Sequence, residues 1–123
     1  MDHTGIDIIA ATPDSEHRWG ISVKSRSRNP GTETTGVSIH KADLEKAERA
    51  RQAFGCELYL AIVVDGDNVV QTFILPKHHL LQLYPGGAKT ISWQLTDRRT
   101  EQYRNDPLIE YFSLRIDPGN WRQ

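Results

Sequence analysis

The chain has one cysteine, Cys56, so an internal disulfide framework is excluded and a reducing compartment, with cytoplasm as the default, is expected. It also lacks any apolar run near the ~20 residues needed to span a bilayer, and no charged-then-apolar leader opens it. No membrane partner is therefore expected. Excess charge of either sign is absent: 15 Lys and Arg against 16 Asp and Glu give a net charge of −1. That excludes a uniformly basic nucleic-acid binder. There is no zinc-ligand spacing, no phosphate-loop glycine pattern and no Gly-x-Ser-x-Gly elbow. Internal repeats and low-complexity tracts are missing too. What remains, 123 residues that are 37% hydrophobic and 25% charged, is the composition of an ordinary globular protein of one domain.

Periodicity supplies the elements. Gly5-Ile6-Asp7-Ile8-Ile9 and Gly20 to Arg26 read as two strands joined through Thr12-Pro13-Asp14-Ser15. On the second, alternation puts Ile21 and Val23 on one face and Ser22, Lys24 and Arg26 on the other. Residues 27–36 have no apolar member and read as a polar loop. Val37 to Ile39 is a brief extended stretch. A helix runs from Lys41 to Phe54 and stops at Gly55, with Leu44, Ala47, Arg51 and Phe54 as one stripe and Asp43 near its inner edge. Leu58 to Val64 is nearly continuous apolar sequence, expected to be buried on both faces. Asp65-Gly66-Asp67-Asn68 is a hairpin turn into a strand from Val69 to Leu75. A short helix from Lys77 to Leu83, a strand from Thr90 to Leu95, a helix from Asp97 to Arg104 and a strand from Leu108 to Ile116 complete the chain. The order predicts an α/β fold built on a mixed sheet.

Charge is distributed more tellingly than its sum. From His17 to Thr32 there are four basic residues, Arg18, Lys24, Arg26 and Arg28, and no acid. The hairpin brings Asp7 towards Lys24, and a carboxylate beside an ammonium suits metal-assisted phosphodiester hydrolysis. The first holds a hard divalent cation, and the second orients the attacking water. A cross-strand ion pair at a sheet edge is the plainer alternative. Of the histidines, His78 and His79 diverge on their helix, and His40 is read as a surface group. Trp19 opens the Lys24 strand, where core packing is the expected role.

At Gly-Ile-Asp-Ile-Ile-Ala and Val-Lys-Ser-Arg the chain resembles the PD-(D/E)xK nuclease superfamily, and within it the archaeal Holliday-junction resolvases. The resemblance covers residues 5–76, leaving 77–123 as a C-terminal extension. It implies a restriction-endonuclease-like mixed β-sheet flanked by helices, here without the usual leading helix. It also implies a DNA endonuclease using Mg²⁺ or Mn²⁺, with Asp7 as metal ligand and Lys24 as catalytic lysine. Ser22 departs from the pattern, standing where the family has Asp or Glu. Either the missing acid has migrated, Asp43 being preferred ahead of Glu45 and Glu33, or the site has decayed into a module that binds nucleic acid or a protein. In the first case Asp7, Lys24 and Asp43 form the site, with Arg18, Arg26 and Arg28 on phosphates. Apolar surface left by the missing helix is expected to be buried in a twofold dimer.

Overall fold

Residues 6–14, 16–27, 36–66, 68–86 and 89–115 are described by a computed structural model. A side-chain-bonded turn starts the fold. The Thr12 hydroxyl donates to Asp14 Oδ1 at 2.5 Å, the Glu16 N–H donates to the same oxygen at 3.0 Å, and the His17 N–H donates to Thr12 Oγ1 at 3.2 Å. The Thr12 hydroxyl holds the Asp14 carboxyl below its ordinary pKa. Around this turn β1 (Ile8–Ala11) pairs antiparallel with β2 (Arg18–Ser27), in the register Ile8 opposite Ile21.

The chain then forms β3 (Val37–His40) and α1 (Lys41–Phe54), and β4 (Glu57–Gly66) returns parallel to β2. The α1 helix stops where composition places its end. Gly55 takes a left-handed φ of 64°, and the Cys56 N–H donates back to the Arg51 carbonyl at 3.0 Å. Beyond it come β5 (Val69–Pro76), α2 (Lys77–Leu83), β6 (Thr90–Trp93), α3 (Asp97–Arg104) and β7 (Glu110–Arg115). The result is a mixed five-stranded sheet, β1-β2-β4-β5-β7, with three helices and a two-stranded β3-β6 sheet. The large sheet is antiparallel except where β2 meets β4.

The core lies on one side of the large sheet. Leu60, Ile62 and Val64 of β4 and Phe73 and Leu75 of β5 are buried against Leu44 of α1, Leu80 of α2, Tyr103 of α3, and Ile39, Ile91 and Trp93 of the small sheet. Trp93 stacks on Tyr103 with centroids 3.9 Å apart, and Phe73 meets Tyr103 edge-on. This cluster joins residues on both sides of position 76. A smaller cluster of Ile6, Ala47, Cys56 and Leu58 seals the β1 end.

The opposite face differs from the sequence reading. By register it carries Ile8, Ala10, Trp19, Ile21 and Val23 on β1 and β2. Tyr59, Ala61, Val63, Val70, Ile74, Phe112 and Leu114 continue it across β4, β5 and β7. Ala61 is buried by its neighbours, but Ile8 is 51%, Phe112 56% and Leu114 64% exposed, and the others are at least partly exposed. Leu58–Val64 is thus buried fully on one face only. The expectation of helices flanking the sheet is corrected: α1, α2 and α3 pack on the core side. Phe54, placed on the inner stripe of α1, is 41% exposed instead. Trp19 belongs to the open face rather than the core.

Candidate active site

The site grows from the edge where β1 stops short. The Asp7 N–H donates to the Ile21 carbonyl at 2.9 Å, just ahead of β1. The Val23 N–H donates to Asp7 Oδ2 at 2.7 Å. A backbone donor on the side that β1 no longer reaches must find an acceptor, and the carboxylate supplies it. Asp7 is thereby fixed against β2 one residue before Lys24. It lies before β1 rather than within a strand.

Lys24 sits mid-strand on β2, opposite Ile62 of β4, and alternates with Ser22 and Arg26 onto the core-side face. That is the reverse of what an amphipathic strand suggests, since its polar positions turn towards the packed elements. Ser22 is only 2% exposed. From β3 the chain enters α1 directly, so Asp43 falls in its first turn, where the helix dipole favours an acid. Its Oδ2 lies 3.4 Å from Lys24 Nζ, with side-chain exposures of 48% and 23%. A pair this open contributes under about 1 kcal/mol to stability, so it is readily shared with another ligand.

The other predicted residues separate. Arg26 donates through Nη1 to the Gly36 carbonyl at 2.8 Å, tying the β2 end to the start of β3. Arg18 is at the hairpin end of β2, opposite Ala11. Lys24 is six residue steps, about 20 Å, further along the strand, so Arg18 does not join the site. Glu45 is exposed on α1, and Asp43 rather than Glu45 meets Lys24. Arg28 and Glu33 lie outside the described residues. Lys41, the first residue of α1, donates to the Gly86 carbonyl at 2.6 Å. Among the described residues no group of three or more His, Cys, Asp or Glu side chains is placed to hold an ion. Asp7 and Asp43 each offer carboxylate oxygens of the hard type that Mg²⁺ takes as ligands.

Sequence reasoning missed a second polar cluster. His79, on the buried side of α2, has Nε2 2.6 Å from Asp106 Oδ2 and Nδ1 3.1 Å from Gln82 Oε1. Burial opposes charging this ring, and the bonds to Asp106 and Gln82 outweigh it, so its pKa is raised. Only the period of α2 hinted at a buried His79, and nothing local pointed to a partner 27 residues away. A cleft of about 460 Å³ between α1, α2 and β4 holds Glu48, Arg51 and Lys77. Glu48 accepts from Arg51 Nε at 2.6 Å, which lowers its pKa, and stands 3.6 Å from Lys77 Nζ.

No family model, no curated protein and no solved structure matches the chain. No helix among the described residues is long and apolar enough to cross a membrane.

Proposed function

We propose that this is a restriction-endonuclease-like domain that hydrolyses DNA phosphodiester bonds with the help of Mg²⁺ or Mn²⁺, working as a dimer. The observation carrying this reading is the convergence on one stretch of β2 of two carboxylates distant in sequence: Asp43 meets Lys24 from 19 residues later, and Asp7 meets the adjacent Val23 from 16 residues earlier. Asp7 and Asp43 would hold the cation, which when bound supplies Lewis-acid polarisation of the scissile phosphate. Lys24 orients the attacking water and offsets phosphate charge, a role its ammonium can take by exchanging Asp43 for substrate. Asp43 is the migrated acid in this reading, since Ser22 offers only a hydroxyl.

The absence of a third ligand among the described residues favours a second reading, a catalytically silent module on the same scaffold that binds nucleic acid or a protein. Calorimetry with Mn²⁺ and a DNA-cleavage assay separate the two. The nuclease reading expects metal binding, cleavage in Mg²⁺ or Mn²⁺, and binding without efficient turnover in Ca²⁺. Lys24→Ala should lower the cleavage rate by about 100-fold or more. A wild-type protein that binds no metal and cuts no DNA leaves the binding module standing.

A further inference from the structure

The open face of the five-stranded sheet is not covered by any described element, and its composition specifies an occupant. We propose that it is a self-association surface, with a second copy of this chain stacked face to face upon it across a twofold axis. The inference names the surface that a dimer would use, and it does not depend on the nuclease reading.

Charge argues first. Along the register of this face there is no Lys or Arg, and its acids, Glu57, Asp65 and Glu110, stand at or beside strand ends. A nucleic acid or an anionic lipid surface would need cations here, whereas an interface core is depleted of charge. Area argues next. At about 3.3 Å per residue and 4.8 Å between strands, the five strands cover roughly 600 Å² of plane. Two such faces would bury roughly 1,200 Å², above the ~1,000 Å² expected of a specific interface.

Shape argues last. A hollow of about 300 Å³ is lined by Ala10, Trp19, Ile21, Tyr59 and Ile74, towards the β1 edge. The exposed ridge of Phe112 and Leu114 stands on the other edge strand. Leu114 is in register, through Val70 and Asp65, with Ser27, eight residues along β2 from Trp19. The hollow reaches from β1 to Ile74 on β5, and the ridge is therefore offset from its centre both across the strands and along them, on a diagonal of one face. A twofold axis lying between two stacked faces, perpendicular to that diagonal and midway along it, exchanges the two, so that each copy's ridge meets the other's hollow.

Sedimentation of the full chain at about 50 µM, above a low-micromolar Kd, should give a dimer. Phe112→Asp combined with Leu114→Asp should weaken dimerisation at least 100-fold. Both side chains are more than half exposed, so unchanged circular dichroism should accompany the loss. Isoleucine methyl spectra of the wild-type protein supply a readout without substitution. On dilution the Ile8, Ile21 and Ile74 signals should move, and those of Ile39, Ile62 and Ile91, buried on the other side, should not. A wild-type monomer at that concentration overturns the proposal, including one that instead binds another protein or its own remaining segments. A dimer indifferent to the double substitution, or one that moves the buried isoleucines instead, overturns it equally.

Discussion

Asp7 has two duties that single substitutions can separate. Its carboxylate accepts the Val23 N–H, so Asp7→Ala leaves a strand donor without its acceptor as well as removing a metal ligand. Asp7→Asn keeps an acceptor oxygen and removes the charge. Asp7→Asn is therefore expected to lose metal binding with a near-wild-type melting temperature, whereas Asp7→Ala should also lose about 1–3 kcal/mol. Calorimetry and thermal melts on the two variants check this, and equal loss of stability in both would contradict the backbone role. Ser22 sharpens the point. Ser22 is only 2% exposed, so Ser22→Glu should cost roughly 2 kcal/mol or more through overpacking and a desolvated charge. If a cation can reach that position, Mn²⁺ should raise the melting temperature of Ser22→Glu more than that of the wild type. The sequence showed which residue types were present at this site. It did not show that Arg26 is committed to the Gly36 carbonyl or that Arg18 lies a strand length away.

Among the elements, α1 was legible to its last residue because composition, helical period and a terminating glycine all agree. Strand β2 was legible in position and alternation but not in orientation. Its apolar face is the open one, and its Ser-Lys-Arg face is covered by α1 and β3. Periodicity identifies two faces, and only the partners decide which one is packed. The β3-β6 pairing joins segments some fifty residues apart, as in His40 opposite Thr90, and no local signal encodes it. The link from α2 to the turn after α3 is equally non-local, and it titrates. The folded-state pKa of His79 is raised above the ordinary value, so the protonated ring favours the folded protein. That contribution is fully present below about pH 6.5 and is lost as pH rises through the folded-state value. Thermal stability should therefore decline from pH 6 to pH 8, by no more than one proton's linkage, about 1.4 kcal/mol per pH unit. Asp106→Asn keeps an acceptor for the Leu108 N–H, a bond now made by Asp106 Oδ1 at 2.9 Å, while weakening the charged pair. It should flatten the decline, and an unchanged pH profile would remove His79 as its source.

For the whole molecule, the mixed sheet and the order of its elements could be read from residues 5–115, whereas its one-sided packing could not. Local patterns count apolar residues without assigning them to a layer. Phe112 and Leu114 alternate like core residues, as do Ile21 and Val23, yet the described helices all pack against the other face. A sheet so arranged has apolar surface still to bury, and burial between copies links folding to concentration. Each tenfold rise in protein concentration should then raise the wild-type melting temperature, because the folded dimer is favoured over unfolded chains by mass action. The Phe112→Asp and Leu114→Asp double variant should melt at a temperature independent of concentration, lower than the concentrated wild type and close to the dilute one. Scanning calorimetry over two decades of concentration provides the measurement. A wild-type melting temperature that stays fixed over that range would mean that this face contributes nothing to the stability of the folded state through self-association.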